Sequence, residues 1–102
     1  MKTITPDEVK QRMDAGEKLN ILDVREPYEN AEYNIGGVLI PMGGIQALDI
    51  DVIEKWKDEE VIIYCRSGNR SGQACLMLET AGFTNVKNLV GGMLAWRDKF
   101  GE

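Results

Sequence analysis

A cysteine followed by a short segment with two arginines is the clearest site for chemistry in this sequence. Cys65 directly follows the strongest predicted strand of the chain, Glu60–Tyr64. The short loop after it contains Gly68, with Arg66 and Arg70 on either side. Glycine accepts left-handed backbone angles, so this loop can curl and turn successive N–H groups inward. Such N–H groups and positive charges stabilise a thiolate. The spacing therefore predicts that Cys65 is a nucleophile in an anion-binding cradle.

The second cysteine of the chain has a different sequence environment. Cys65 taken alone would also fit a buried structural thiol, but the arginines, the glycine and a following helix start favour a nucleophile. Cys75 lies on the apolar side of a predicted helix, Ser71–Ala81. This position favours core packing over a role as a resolving partner for Cys65. The curled loop and helix between them predict two free thiols rather than a disulfide.

The composition narrows the chemistry further. The 102 residues include no histidine and two cysteines, so no zinc site of the usual cysteine and histidine kinds can be built. Catalytic triads that pair histidine with serine or cysteine are excluded for the same reason. We therefore expect no metal, and a thiol in this chain must be activated without imidazole.

The charge of the chain limits its partners. Twelve basic and seventeen acidic residues give a net charge of −5, which predicts binding to neither nucleic acid nor an anionic membrane. The longest uncharged stretch, residues 33–48, is short and rich in glycine, so it does not predict a spanning helix. The first residues lack the apolar segment of a secretory signal. We expect one cytoplasmic domain over residues 1–102.

Strand and helix signals alternate along the chain. Thr5, Pro6 and Glu8 mark the start of a first helix, and Gly16 marks its end. The predicted strands are Leu19–Val24, Glu60–Tyr64 and Val86–Leu89. The other predicted helices are Asp49–Trp56, Ser71–Ala81 and Gly91–Phe100, the last with Met93, Trp96 and Phe100 facing inward. This alternation predicts an α/β sandwich with a parallel sheet, in which sites form at the carboxyl ends of strands.

Three segments together resemble the rhodanese-like family of single-domain sulfurtransferases. These segments are Ile21–Pro27, Val61–Ser71 and Asn88–Trp96. The resemblance covers nearly the whole chain. It implies a three-layer fold with a five-stranded, mainly parallel sheet flanked by helices, and it places the active-site cysteine at Cys65.

The resemblance also implies a mechanism. The Cys65 thiolate would attack the outer sulfur of thiosulfate or another sulfane donor and become a persulfide. It would then pass that sulfur to a thiophilic acceptor, which is cyanide, a thiol or a protein, without a metal or organic cofactor. Backbone N–H groups of the loop would hold the persulfide, and its arginine side chains would attract an anionic donor. The residues assigned to this binding are Arg66, Ser67, Gly68, Asn69, Arg70 and Ser71.

One segment departs from the family pattern. The family usually carries a Gly-His-Ile-x-Gly-Ala stretch before an Ile-Pro pair. Here residues 33–41 read Tyr-Asn-Ile-Gly-Gly-Val-Leu-Ile-Pro, so the histidine is missing and the segment is one residue shorter. We interpret this difference as a variant of a structural turn.

Several other residues have two possible roles, one in the site and one in the structure. Asp23 and Arg25 end a predicted strand and could border the site, but an ion pair that holds the loops is the favoured role. Tyr28, Tyr33 and Met42 could line an entrance, although aromatic and methionine side chains are more often part of a core. Gly91–Gly92 could offer N–H groups to the site or allow close packing of the last helix.

Three alternative functions remain at this point. A cysteine phosphatase or arsenate reductase usually has five residues between cysteine and arginine, whereas this chain has four, from Arg66 to Asn69. A regulatory rhodanese-like binding module commonly lacks the cysteine, which this chain keeps. A relay protein would receive persulfide from a desulfurase and pass it to a partner protein, and it requires the same Cys65. We expect a monomer or weak dimer.

Overall fold

The computed structural model describes residues 1–101, and a parallel sheet lies at its centre. The five strands are β1 (Lys2–Ile4), β2 (Ile21–Asp23), β3 (Val38–Leu39), β4 (Glu60–Tyr64) and β5 (Asn85–Leu89). They lie in the order β1-β5-β4-β2-β3, and each pair of neighbours is parallel. The expected five-stranded, mainly parallel sheet is therefore confirmed.

Helices cover both faces of the sheet. They are α1 (Pro6–Asp14), α2 (Pro27–Glu32), α3 (Met42–Gln46), a 3₁₀ helix (Asp51–Trp56), α4 (Asn69–Thr80) and α5 (Gly92–Phe100). One apolar cluster joins the sheet to α3, the 3₁₀ helix and α4, and a second joins it to α1 and α5. These are the three layers that the resemblance implied. Within residues 1–101, no helix has the length and apolar character needed to span a bilayer.

Strand β4 explains why both faces must be covered. Val61 and Ile63 point into the cluster beneath α4, whereas Ile62 and Tyr64 point into the cluster beneath α1 and α5. All four side chains are fully buried. A strand that is apolar on both faces is typical of the interior of a parallel sheet. In agreement with this, β4 pairs with β2 on one side and with β5 on the other, and the residues at its carboxyl end are buried.

The first helix begins as its sequence predicts. The Thr5 hydroxyl accepts the Glu8 N–H at 3.1 Å, and the Glu8 carboxylate accepts the Thr5 N–H at 3.3 Å. This reciprocal capping box satisfies two N–H groups that the helix itself leaves unpaired. The helix ends at Asp14, and Gly16 follows with a left-handed φ of 81°.

Other boundaries differ from the predictions. Helix α4 begins at Asn69, two residues before the predicted start, because the loop ends at Gly68 rather than at Arg70. The segment predicted as a helix from Asp49 forms a 3₁₀ helix from Asp51 instead. The prediction that Phe100 faces inward was wrong: its side chain is 36% exposed and packs edge-to-face on Trp96. The elements that sequence reasoning missed, β1, α2, β3 and α3, have at most six residues each, too few for a periodic pattern.

Candidate active site

The predicted cysteine lies where the central strand ends. Cys65 directly follows β4, and the loop turns at Gly68, whose φ is 105°, before α4 begins at Asn69. This left-handed φ is the conformation expected of Gly68, and a side chain there would be strained. The turn brings the start of α4 back over the cysteine.

Hydrogen-bond donors converge on the Cys65 sulfur. The Gly68 N–H donates to Sγ at 3.1 Å, and the Ser71 hydroxyl lies 3.3 Å from Sγ. The cysteine and Ser71 are both fully buried. These two contacts lie on the side of the sulfur where the loop sequence predicts an anion-stabilising cradle.

Two opposing effects act on the ionisation of this thiol. Burial by itself raises the pKa of Cys65. The Ser71 hydroxyl and the backbone N–H groups of Ser71, Gly68 and Ser67 outweigh burial, and the pKa of Cys65 is lowered. Hydrogen bonds to the charged form thus lower the pKa of this thiol without a histidine.

The two arginines of the loop are not equivalent. Arg66 is exposed, and within residues 1–101 its side chain has no hydrogen bond or ion pair. Arg70 instead forms two parallel hydrogen bonds to the Glu29 carboxylate, at 2.8 and 3.0 Å. The sequence predicted that both arginines attract an anionic donor, but the charge of Arg70 is already compensated.

Asn88, at the carboxyl-terminal part of β5, links the two halves of the loop. Its Oδ1 lies 2.5 Å from the Ser71 hydroxyl, and its Nδ2 donates to the Gly68 carbonyl at 3.0 Å. The Ser71 hydroxyl has one proton, so Asn88 Oδ1 and the Cys65 sulfur compete as acceptors for it. Asn88 thus holds Ser71 and Gly68 in place beside the sulfur without touching it. Sequence reasoning assigned Asn88 no role, since an asparagine in a strand has no distinguishing pattern.

The start of α5 supports the loop from the other side. The N–H groups of Met93 and Leu94 donate to the carbonyls of Cys65 and Arg66, both at 2.9 Å. A Cβ on Gly92 would lie 2.5 Å from the Cys65 carbonyl oxygen, closer than real Cβ contacts occur. Of the two readings of the paired glycines, close packing therefore accounts for Gly92, and these N–H groups bind the loop backbone.

A buried polar network adjoins the site. Asp23 and Arg25 form an ion pair at 2.9 Å, and the exposed fractions of their side chains are 0% and 5%. The Tyr64 hydroxyl also donates to Asp23, at 3.1 Å, and burial raises the pKa of Tyr64 to about 12. Arg25 further donates to the Tyr33 carbonyl at 2.7 Å. This network ties α2 to the ends of β2 and β4, the structural role that the sequence favoured.

An open groove of about 410 Å³ lies beside the loop. Its lining residues are Arg25, Tyr28, Glu29, Glu32, Tyr33, Arg66, Met93, Leu94 and Arg97. Tyr28 and Tyr33 thus line a groove beside the loop, and their role as an entrance stays a prediction. Met42 does not line the groove, because it packs against the core beneath α4. Cys65 is not among the lining residues, so the groove reaches the loop at Arg66.

The segment that departs from the family pattern forms a turn and the short strand β3. Asn34 accepts the Gly36 N–H at 2.8 Å and donates to the Asn30 carbonyl at 2.9 Å. Gly37 has a φ of 90°, and a Cβ there would lie 2.2 Å from the Ile21 carbonyl oxygen. These contacts agree with the interpretation of a structural turn.

The second cysteine lies outside this arrangement. Cys75 is fully buried in the apolar cluster beneath α4, and both cysteines are free thiols. Burial, followed by the negative charge of Glu79, raises the pKa of Cys75 to about 12. Cys75 is thus a core residue, as predicted.

Known proteins similar to this chain carry names related to sulfur transfer. A sulfurtransferase of Allochromatium vinosum is 40% identical over 94 residues, which cover 91% of this chain and 85% of that protein. A putative sulfur carrier protein of Bacillus subtilis, YrkF, is 39% identical, with 94% of this chain and 51% of YrkF covered. A probable adenylyltransferase/sulfurtransferase of Mycobacterium tuberculosis, MoeZ, is 37% identical over 92% of this chain. The chain spans about a quarter of MoeZ and half of YrkF.

The fold leads to the same group of proteins. The crystal structure of a rhodanese-like domain protein from Staphylococcus aureus superposes with a TM-score of 0.82 at 36% identity, covering 94% of this chain and 91% of that one. The family model of the rhodanese-like domain matches residues 5–99. The rhodanese-like fold that the three segments predicted is therefore confirmed, and the chain belongs to the rhodanese-like domain family.

Proposed function

We propose that the protein is a sulfurtransferase that carries a sulfane sulfur as a persulfide on Cys65. The donor is thiosulfate or a persulfide, and the acceptor is cyanide, a thiol or a protein. The observation that carries the proposal is the pair of donors on the Cys65 sulfur, the Gly68 N–H at 3.1 Å and the Ser71 hydroxyl at 3.3 Å. They stabilise the thiolate before the reaction and a persulfide anion after it.

The loading step balances without a further reactant. The Cys65 thiolate forms a bond to the outer sulfur of thiosulfate, the S–S bond of thiosulfate breaks, and sulfite leaves with the electron pair. In the second step, the acceptor attacks the outer sulfur of the persulfide and the Cys65 thiolate is the leaving group. This double displacement is covalent nucleophilic catalysis in which the cysteine is regenerated.

The loop size supports sulfur transfer over phosphate chemistry. Four residues separate Cys65 from Arg70, and the Arg70 side chain is held by Glu29 rather than directed to an open oxyanion site. We propose that the backbone of Arg66, Ser67, Gly68, Asn69, Arg70 and Ser71 forms the sulfur-binding cradle.

The setting of the reaction is also part of the proposal. We place the protein in the cytoplasm, because both cysteines are free and a loop thiol must stay reduced between turnovers. Residues 1–102 would act as one rhodanese-like unit, as a monomer or weak dimer.

A relay between proteins is the second candidate. The relative YrkF is named a putative sulfur carrier protein. A relay would load from a desulfurase persulfide much faster than from thiosulfate. Comparing the two loading rates at equal donor concentration distinguishes the relay from the small-molecule enzyme.

Intact mass spectrometry of the reduced, anaerobic protein tests the main proposal. Thiosulfate should add the mass of one sulfur atom, and cyanide should remove it. Cys65→Ser should gain nothing, whereas Cys75→Ala, the matched control, should load normally. A sulfur adduct that persists in Cys65→Ser, or hydrolysis of an aryl phosphate that requires Cys65, would refute the assignment.

A further inference from the structure

An ion pair between Glu29 and Arg70 lies beside the candidate site. Glu29 lies on α2 and Arg70 in the first turn of α4, and their side chains meet in a two-point hydrogen bond at 2.8 and 3.0 Å. The exposed fraction of the side chain is 13% for Glu29 and 35% for Arg70. Bidentate pairs of this kind are among the stronger ionic hydrogen bonds in proteins.

Glu29 is fixed in position and in charge. Its carboxylate also accepts the Glu26 N–H at 2.9 Å, which ties it to the start of α2. The hydrogen bonds from Arg70, opposed by burial, lower the pKa of Glu29 to about 2. Glu29 therefore stays negative at any pH at which the protein works.

Of this pair, Arg70 lies within electrostatic range of the Cys65 sulfur. The pKa of Arg70 is raised first by its hydrogen bonds to Glu29, and the charge of the Cys65 thiolate also contributes. Because Glu29 compensates Arg70, Arg66 is the one loop arginine that carries no ion pair within the described residues. A doubly charged donor that approaches Cys65 meets one such arginine rather than two.

From this geometry we propose that Glu29 is a specificity-determining residue that disfavours dianionic sulfur donors. Thiosulfate would thus load more slowly than donors of lower negative charge, such as singly charged thiosulfonates and persulfides borne on thiols. This inference rests on the proposed function and narrows its donor class. Glu29 does not touch the sulfur, and it acts through the charge around the loop.

Two donors that differ by one charge test the inference. Thiosulfate is a dianion, and methanethiosulfonate has a methyl group in place of one charged oxygen. With either donor, the thiolate bonds to the terminal sulfur and the S–S bond of the donor breaks, and sulfite or methanesulfinate leaves with the electron pair. The ratio of kcat/KM for the two donors, with cyanide as acceptor, reports the charge preference of loading. The ratio is independent of the fraction of enzyme that is folded.

Glu29→Gln is the informative variant, because glutamine keeps the acceptor for the Glu26 N–H while it removes the charge. We expect the ratio of kcat/KM for thiosulfate to kcat/KM for methanethiosulfonate to rise by about threefold. The variant removes one negative charge near the loop, and the two donors differ by one negative charge. The rise should shrink as salt is added. Glu29→Ala should raise the ratio in the same direction.

Glu60→Gln is the matched control. Glu60 is another carboxylate held by two hydrogen bonds from one arginine, Arg12, but it lies at the opposite end of β4 from Cys65. Its removal changes the net charge equally and should leave the ratio unchanged. An unchanged ratio in Glu29→Gln, or an equal rise in Glu60→Gln, overturns the inference while the proposed function stands. If neither donor loads Cys65 but a desulfurase persulfide does, the inference fails and the relay stands. If none of the three donors loads Cys65, the proposed function fails as well.

Discussion

The two cysteines of this protein are equally buried, but their pKa values are shifted in opposite directions. Cys65 and Cys75 both have no exposed surface and belong to the same apolar cluster. The pKa of Cys65 is lowered, whereas that of Cys75 is raised to about 12. Burial therefore does not decide whether a thiol in this fold ionises.

The difference follows from where each cysteine meets α4. Cys65 lies under the start of the helix, where backbone N–H groups have no partner within the helix and the one of Gly68 donates to sulfur. Cys75 lies in the second turn, where the helix uses its own N–H groups. The start of α4 thus lowers the pKa of a nearby thiol, whereas a thiol in the body of the same helix stays neutral.

The largest effect on persulfide formation should come from replacing each cysteine in turn. Cys65→Ser should abolish persulfide formation, because Cys75, the other thiol, accepts no hydrogen bond on its sulfur from residues 1–101. Cys75→Ala should keep the loading rate within about twofold of the wild type, as expected for a residue away from the reacting atoms. Intact mass spectra over a time course of thiosulfate addition measure both. Loading that needs Cys75 would end the contrast between the cysteines.

The next effect should come from the support beneath the loop. Gly92→Ala places a Cβ against the carbonyls of Cys65 and Arg66 at a φ of 56°. We expect a loss of about 2–4 kcal/mol in the free energy of unfolding and a loading rate at least about tenfold lower. Urea denaturation and loading kinetics measure these changes. Gly43→Ala is the control, since a Cβ there meets nothing within 4 Å, and it should leave both quantities nearly unchanged.

Ser71→Ala tests the donors themselves. Loss of the hydroxyl removes a hydrogen bond to the thiolate, so the pKa of Cys65 should rise by about one pH unit. The thiolate form would then be lost at a higher pH as the solution is acidified, and loading at neutral pH would slow. Ultraviolet absorbance of the thiolate against pH, with Cys65→Ser subtracted as the baseline, gives the titration curve. An unmoved curve would show that the backbone N–H groups alone set the acidity.

The smallest effect should come from making the Cys75 position polar. Cys75→Ser buries a hydroxyl in an apolar cluster and should cost about 1 kcal/mol more than Cys75→Ala in the free energy of unfolding. Thermal denaturation of the two variants, side by side, measures the difference. Equal stabilities would mean that the α4 side of this cluster tolerates polar groups, and the explanation of the high Cys75 pKa would have to change.

Local sequence patterns predicted the geometry around Cys65 better than they predicted the whole fold. Cys65, the turn at Gly68 and the core position of Cys75 follow from local patterns: a strand end, a glycine and an apolar helix face. Glu29 and Asn88 lie 41 and 17 residues from their partners in the first turn of α4, Arg70 and Ser71. No local pattern connects residues so far apart, because the order of strands in the sheet brings them together.

The secondary structure elements show the same difference between what local patterns predict and what they miss. The long elements, such as α4 and β4, contain enough residues for a periodic pattern, and their existence was predicted correctly. The edge strands and α2 are too short for one. Helix α2 has no fully buried residue, so its sequence carries no apolar face, and polar contacts such as Asn30 to Asp23 at 3.0 Å hold it instead.

The lengths of the strands also bear on how the protein avoids aggregation. The run Val61–Tyr64 is apolar and rich in residues that favour strands, the type of segment that forms intermolecular sheets when it is exposed. It lies in the middle of the sheet, paired on both sides. The sheet ends in β1 and β3, which have three and two residues and therefore offer another chain little backbone to pair with. A brief opening at either edge would leave the apolar centre covered.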